Sequence, residues 1–267
     1  MSPATIWGER WLNCDQPIAR EYMEVACKKQ SLVVLAADKN SMQELNDLIE
    51  EVGDYISALK THVDLVDDWS KNAWDDFISK AKDKNLLIFE DRKHGDIGKI
   101  AKKQMGGIYN SRMWADLITA HLISGGSVLD GIQEAWSEAG KRGGVLVLAQ
   151  MSSEGNLLEL PGYTDSVIRI GKLHSACFGF IGNGSRPNEL KELRKKVGQG
   201  KMIWTPGVNL NANEAELGQR YGDPKEAILS GSDAIIVGSG IHNAANPKDA
   251  AKKYAEISWN ALLQRRE

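Results

Sequence analysis

Residues 86–96 read LLIFEDRKHGD, so that a short apolar run passes directly into a run of charged residues. Such a continuous apolar run is typical of a strand that is buried on both faces, as in a parallel sheet covered by helices. Seven further runs of the same kind predict seven further strands. They lie at residues 31–37, 55–59, 114–119, 144–149, 178–181, 202–204 and 234–237.

Amphipathic segments separate these runs, for example at residues 41–52, 69–82, 128–139 and 188–196. Eight strands that alternate with helices predict an α/β protein with a (β/α)8 TIM barrel. The competing fold, an open doubly wound sheet, usually has a glycine-rich phosphate turn after its first strand, where this chain has Asp38-Lys39-Asn40. We interpret residues 1–267 as a single domain. Residues 1–30 form an N-terminal helical lead-in, of which 20–29 is expected to cross the bottom of the barrel.

Composition excludes several classes of protein. The chain has 33 basic and 36 acidic residues and a net charge of -3, which argues against a nucleic-acid partner. Cys14, Cys27 and Cys177 are widely spaced and fit neither a disulfide framework nor a zinc site. The sequence has no apolar stretch of about 20 residues and no signal-peptide pattern at its start, so we expect a cytoplasmic protein without a membrane span.

Polar residues follow most of the predicted strands, at the end where barrel enzymes carry their active sites. Asp91 and Lys93 are two residues apart and are therefore expected to point the same way, with Lys60 on the neighbouring strand end. Together with Asp96 they form two lysines that alternate with two carboxylates, an array that can be buried because its charges neutralise one another. The alternative is a solvated surface ion pair, which contributes little.

Several strings resemble the orotidine 5'-monophosphate decarboxylase family, in particular its fungal and animal branch. They are LKTHVD at 59–64, FEDRK at 89–93, DLITAH at 116–121, TPGV at 205–208, LGQ at 217–219 and IIVG at 235–238. The resemblance runs in order from about Leu32 to the end of the chain, and so covers most of it.

The resemblance implies a lyase that needs neither a metal nor an organic cofactor and acts on a small carboxylate. It implies that Asp91 lies against the departing carboxylate, and that Lys93 stabilises the carbanion and protonates it. Lys60 and Asp38 are expected to hold the ribose, and Asp96 to reach the site from the second subunit of a homodimer. The expected substrate contacts are Ser152 at the pyrimidine, Gln219 and Tyr221 at the phosphate, and Pro206, Gly238 and Ser239 at the ends of the last two strands.

Metal-dependent relatives in the wider superfamily share the Asp-x-Lys-x-x-Asp pattern but carry a glutamate at the end of the second strand. This chain has Lys60 there, and a cation cannot ligate magnesium. The metal-dependent alternative is therefore disfavoured.

Three positions depart from the family pattern. Ser239 stands where an arginine normally grips the phosphate, and a hydroxyl cannot replace a charged bidentate fork. Ile100 stands where a threonine contacts the ribose, and His94 takes the place of a phenylalanine beside Lys93. We expect His94 to point away from the pocket, because it alternates with Lys93 along the strand.

These departures leave three hypotheses. The favoured one is a carboxy-lyase that has diverged to a related acid whose phosphate is absent or differently held. The second is a working orotidine 5'-monophosphate decarboxylase, in which Arg186, Arg220 or His242 lends the missing charge. The third, a binding protein without turnover, fits the intact charged array least well.

Overall fold

Within residues 1–210 and 221–266, which the computed structural model describes, eight parallel strands form a closed barrel. Each strand pairs with the next along the chain, and β8 pairs with β1. The predicted (β/α)8 fold is confirmed. The strands are β1 (Val33–Ala36), β2 (Ala58–Thr61), β3 (Leu87–His94), β4 (Leu117–Ala120), β5 (Gly144–Leu148), β6 (Cys177–Ile181), β7 (Met202–Thr205) and β8 (Ala234–Val237).

Helices precede the barrel and follow each of its strands in the described part of the chain. They are α1 (Pro3–Trp7), α2 (Glu9–Asn13), α3 (Pro17–Lys29), α4 (Met42–Val52), α5 (Lys71–Asp83), α6 (Gly98–Gly106), α7 (Ser127–Glu138), α8 (Tyr163–Leu173), α9 (Pro187–Val197), α10 (Pro224–Leu229), α11 (Ser239–His242) and α12 (Pro247–Arg266). Short 3-10 turns lie at Gly53–Tyr55, Val63–Leu65, Ser111–Met113 and Leu157–Glu159.

Local sequence signals explain where several helices begin. At α4 the Ser41 hydroxyl accepts a hydrogen bond from the backbone N–H of Glu44 and donates one to the Glu44 carboxylate. This arrangement satisfies N–H groups that have no acceptor within the helix. Ser70 accepts in the same way from Ala73 at the start of α5. A polar cap therefore fixes the turn that leads from a strand end into the next helix.

The interior of the barrel is filled by aromatic side chains. Trp204 on β7 packs edge-on against Phe89 and Phe178, with ring centroids 5.7 and 5.2 Å apart. Tyr22 of α3 adds to this cluster, 4.9 Å from Trp204, and its hydroxyl donates to the backbone carbonyl of Asp233 just before β8. Because Asp233 precedes a strand, α3 packs on the N-terminal end of the barrel, opposite the end expected to carry the chemistry.

No helix in the described part of the chain is both long enough and apolar enough to cross a membrane.

Candidate active site

A cavity of about 240 Å³ opens at the carboxyl ends of the strands. Its lining combines apolar side chains with a few charged and polar ones, which is the usual character of a small-molecule site. The lining residues are Lys60, Phe89, Asp91, Lys93, Leu148, Met151, Ser152, Ser153, Ile181, Pro206 and Ile236.

The structure brings four of the predicted charged residues into one connected cluster. The Lys60 Nζ lies 3.0 Å from Asp38 Oδ1 and 3.6 Å from Asp91 Oδ2. The Lys93 Nζ lies 2.9 Å from the same Asp91 oxygen. The Asp91 and Lys60 side chains are only 14% and 7% exposed, so this is a shielded array and not a surface pair.

An irregularity in β3 aims this cluster at the cavity. Glu90 pairs with Ile118 and His94 pairs with Ala120, so β3 advances four residues where β4 advances two. The extra residues bulge out of the ladder, and Lys93 has a left-handed backbone with φ of 51°. Bulges commonly re-aim side chains beside active sites. Asp91 and Lys93 therefore meet because of a bulge, and not because of the simple strand alternation on which the sequence prediction rested.

Thr119 on β4 holds this bulge in place. Its hydroxyl donates to Asp91 Oδ1 at 2.8 Å and accepts from the backbone N–H of Lys93, also at 2.8 Å. Sequence reasoning placed Thr119 within a matching string but gave it no role. Its position at the end of a strand neighbouring Asp91 is the signal that could have identified it.

The electrostatics of the cluster keep Asp91 ionised. Burial by itself would raise the pKa of Asp91, but the ammonium groups of Lys60 and Lys93 outweigh it and hold the pKa at about 2. His62, whose Nε2 lies 3.5 Å from Asp91 Oδ2, has its pKa lowered by burial and by Lys60. The cavity wall thus presents a permanent carboxylate beside an ammonium group.

A second carboxyl lies behind the wall. Glu90 is fully buried and accepts hydrogen bonds from the Thr61 hydroxyl at 2.6 Å and from the backbone N–H of Val63 at 3.2 Å. Burial raises the pKa of Glu90 to about 7, against the lowering effect of these hydrogen bonds. Sequence reasoning did not single out Glu90.

The remaining predicted site residues are dispersed. Ser152 and Pro206 line the cavity. Asp96 is exposed, and its Oδ1 accepts from the backbone N–H of Ile97, so within one chain it does not join the cluster. Ser239 is the exposed first residue of α11, after Gly238. Tyr221 is half-buried, and Gln219 and Arg220 lie outside the described residues.

The two other departures from the family pattern lie on or against α6. His94 is buried, and its Nδ1 lies 2.9 Å from the Oε1 of Gln104 on α6, so it points away from the cavity. Ile100 is a half-buried residue of the same helix. Neither lines the cavity.

The described residues include no group of three His, Cys, Asp or Glu side chains that is arranged to hold a metal ion.

Comparison with known proteins is informative over nearly the whole chain. The profile of the Orotidine 5'-phosphate decarboxylase / HUMPS family matches residues 31–254. Orotidine 5'-phosphate decarboxylase of Schizosaccharomyces pombe is 35% identical over 253 residues, which cover 93% of this chain and 92% of the relative. The chain belongs to this family. Uridine 5'-monophosphate synthase of Bos taurus is 38% identical over 93% of this chain and 50% of its own length.

Solved structures of the family agree in fold. Orotidine 5'-monophosphate decarboxylase from Methanocaldococcus jannaschii, complexed with the inhibitor BMP, superposes with a TM-score of 0.68 at 23% identity, over 85% of this chain and 97% of that one. The enzyme from Pyrococcus horikoshii gives 0.66 at 27% identity, over 85% and 98%. The predicted family resemblance is confirmed, and the protein is a carboxy-lyase of the orotidine 5'-phosphate decarboxylase type.

Proposed function

We propose that this chain decarboxylates orotidine 5'-monophosphate to uridine 5'-monophosphate, as the names of its relatives indicate. In the proposed reaction the bond between the ring carbon and the carboxylate breaks, CO2 leaves, and the electron pair stays on the ring carbon. The ammonium of Lys93 stabilises that carbanion and gives it a proton. The observation that carries the proposal is the Lys60–Asp91–Lys93 cluster on the wall of the cavity, in which Lys60 is buried and Asp91 and Lys93 are half-buried.

The cavity supports a flat, partly polar ring as the bound group. Phe89, Leu148 and Ile236 supply apolar surface to the cavity, and Ser152 and Pro206 line it as well. Asp91 is ionised at neutral pH, because its pKa is about 2. A pyrimidine carboxylate that enters with its carboxylate towards Asp91 therefore places two negative charges next to each other. This unfavourable contact disappears when CO2 leaves.

The contact between Asp38 and Lys60 supports a ribose site next to the ring. Asp38 is 40% exposed and Lys60 is buried, with 3.0 Å between their charged atoms. One carboxylate and one ammonium offer an acceptor and donors for the two ribose hydroxyls. We propose that this pair orients the sugar, while Lys60 also holds Asp91.

The phosphate contact is where this chain departs from the family pattern. Ser239 offers one hydroxyl at the start of α11, and Tyr221 offers a second. The His242 ring lies close by, because its Nε2 is 3.5 Å from the position that a Cβ on Gly238 would take. Arg186 is committed elsewhere, since it forms ion pairs with Glu159 at 3.3 Å and Glu189 at 2.7 Å. We propose that Tyr221 and His242 replace part of the missing arginine.

We further propose that two copies share the site, as the resemblance implies. Asp96 is exposed near two exposed apolar side chains, since Ile97 is 53% and Ile123 is 73% exposed. A second copy packed on this face would cover them and bring Asp96 to the partner's cluster.

The expected cytoplasmic location also stays a prediction.

A second candidate function, decarboxylation of a related acid whose phosphate is absent or differently held, is favoured by Ser239. A charge-assisted hydrogen bond contributes about 1.5–3 kcal/mol, so its loss corresponds to a factor of roughly 10–150 in binding. The change at Ile100 affects the expected sugar contact and points the same way.

One experiment distinguishes the two candidates. The unmodified chain and Ser239→Arg are each assayed with orotidine 5'-monophosphate and with orotidine, following the loss of ring absorbance. Turnover of the phosphate ester by the unmodified chain at a kcat/KM far above that for orotidine supports the proposed function. Activity on the ester that appears only in Ser239→Arg favours the second candidate. Lys93→Ala must abolish whichever activity is seen, or the assigned role of Lys93 is wrong.

A further inference from the structure

A second cavity, of about 860 Å³, lies at the opposite end of the barrel. Residues of α1 and α2, of α9 and of α12 form its walls. It borders the segment that leads into β8, and so lies at the N-terminal end of the strands, remote from the Lys60–Asp91–Lys93 cluster. We call it the basal cavity. Its volume falls within the range of about 300–1,000 Å³ that is usual for small-molecule sites.

Three arginines of the basal cavity converge on one carboxylate. Asp233 is fully buried, and its Oδ1 lies 2.5 Å from Arg10 Nε and 3.1 Å from Arg265 NH2. Its Oδ2 accepts from Arg194 and from the backbone N–H of Ile203. With three guanidinium groups and one backbone N–H around its two oxygens, the carboxylate has no room for a further cation. It neutralises only one of the three guanidinium charges.

The other charged residues that line the cavity do not supply the missing negative charge, because the two carboxylates of Glu9 and Glu192 are matched in number by the ammonium groups of Lys191 and Lys195. Burial and the nearby Asp233 raise the pKa of the Cys14 thiol to about 11, so this thiol stays neutral. Burial and Arg10 lower the pKa of Arg265 to about 9, which still leaves it charged at neutral pH. At the rim, Glu192 lies 2.6 Å from Lys195, and these two charges offset each other.

Buried polar groups around the cavity also lack partners. The Nε of Arg10 lies 2.5 Å from Asp233 Oδ1 but is not aligned for a hydrogen bond, so it is a buried donor without a hydrogen-bond partner among residues 1–210 and 221–266. The Arg10 side chain as a whole is only 11% exposed. Among the same residues, the buried Ser230 Oγ and Gln199 Oε1 have no hydrogen-bond partner. Native proteins rarely leave such groups unsatisfied.

We propose that the basal cavity is a binding site for a small organic phosphate. The planar fork of Arg10 matches two phosphate oxygens, and the Ser230 hydroxyl donates to a third. Trp7 and Leu262 line the same cavity and offer apolar surface to the organic part of the ligand. The phosphate neutralises the excess charge that Asp233 leaves uncompensated, so it binds the folded chain and stabilises it.

The test uses inorganic pyrophosphate as the probe and citrate as a carboxylate comparison. Calorimetry gives the dissociation constant, and thermal unfolding gives the shift in Tm, both against sodium chloride at the same ionic strength. Arg10→Gln is expected to weaken pyrophosphate binding by about ten- to a hundredfold, because a charge-assisted contact is lost. Ser230→Ala, a smaller change that keeps the arginine cluster, is expected to weaken it by about three- to tenfold.

Two control variants locate the binding. Arg142→Gln removes an exposed arginine elsewhere on the surface and should leave the affinity unchanged. Tyr221→Phe alters the proposed phosphate contact at the barrel mouth and therefore reports separately on any pyrophosphate that binds there. Loss of binding in Tyr221→Phe but not in Arg10→Gln would place the anion at the mouth and overturn the proposal. Absence of saturable binding, or tighter binding of citrate than of pyrophosphate, overturns it as well. If Arg10→Gln does not fold, Ser230→Ala decides.

Discussion

Thr119→Val is the most direct test of how the active cluster is held. The substitution keeps the shape of the side chain but removes the hydroxyl that donates to Asp91 and accepts from the backbone N–H of Lys93. Thr119 is 1% exposed, so water does not easily replace either hydrogen bond. A bond to a charged partner contributes about 1.5–3 kcal/mol and a neutral one about 0.5–1.5 kcal/mol. We expect the free energy of unfolding to fall by about 2–4 kcal/mol.

The same substitution should also slow catalysis. Without the Thr119 hydroxyl the bulge in β3 loses two hydrogen bonds to β4, and a shift of about 1 Å in a reacting group can lower the rate about a hundredfold. We expect kcat for decarboxylation to fall by roughly 10- to 100-fold, with a smaller change in KM, because the cluster acts on the transition state more than on substrate binding.

The matched control is Thr119→Ser, which keeps the hydroxyl and loses one methyl group. It should retain most of the activity, although the small cavity costs about 1 kcal/mol of stability. The assay is steady-state decarboxylation with whichever of orotidine 5'-monophosphate or orotidine the chain turns over. If Thr119→Val shows the kcat of the unmodified chain, Thr119 does not position Asp91 and Lys93, and our account of the bulge is wrong.

Three further predictions concern other parts of the molecule. The Glu90 carboxyl ionises near pH 7 when folded and near 4.5 when unfolded, so stability should fall as pH rises through this window. Glu90→Gln should remove this pH-dependent loss of stability, which is on the order of 3 kcal/mol. The free energy of unfolding in urea, measured at pH 4.5 and 8, checks this. An equal change between the two pH values in the variant and in the unmodified chain would contradict it. Gly131→Ala should cost about 1–3 kcal/mol by the same measurement, because its Cβ would lie 2.0 Å from the Gly98 carbonyl oxygen. Mixing inactive Asp96→Asn and Lys93→Ala chains should restore roughly a quarter of the activity if subunits share sites, and none if they do not.

The sequence predicted the fold well because its apolar runs are long and regular. The predicted strand at 55–59 was displaced, since Tyr55 ends a 3-10 turn and β2 begins only at Ala58. As a result Lys60 lies within the strand, where it is buried, and not in the loop after it. Such errors of a few residues are expected where tertiary packing decides the boundary.

The site was less predictable because it depends on features with weak sequence signals. A left-handed lysine is rare, so nothing in the string EDRKH indicates that Lys93 has a positive φ. Glu90 reads as one more charge in a charged run, yet it is the one turned into the protein interior. In both cases the pairing with a neighbouring strand decides the direction of the side chain, and that pairing is not local.

The charged cluster and the proposed phosphate contacts come from different parts of the barrel, so one can change while the other stays intact. The cluster lies on β2 and β3, whereas Ser239 begins α11 after β8. The substitution that we infer at Ser239 therefore touches no contact of Asp91. The ratio of kcat/KM for the phosphate ester to kcat/KM for orotidine therefore reports on the phosphate contacts that follow the last two strands. A small ratio means that remote binding no longer assists the chemical step. A large ratio means that other groups, His242 among them, bind the phosphate in place of an arginine. The function is then unchanged, because these groups compensate for the substitution.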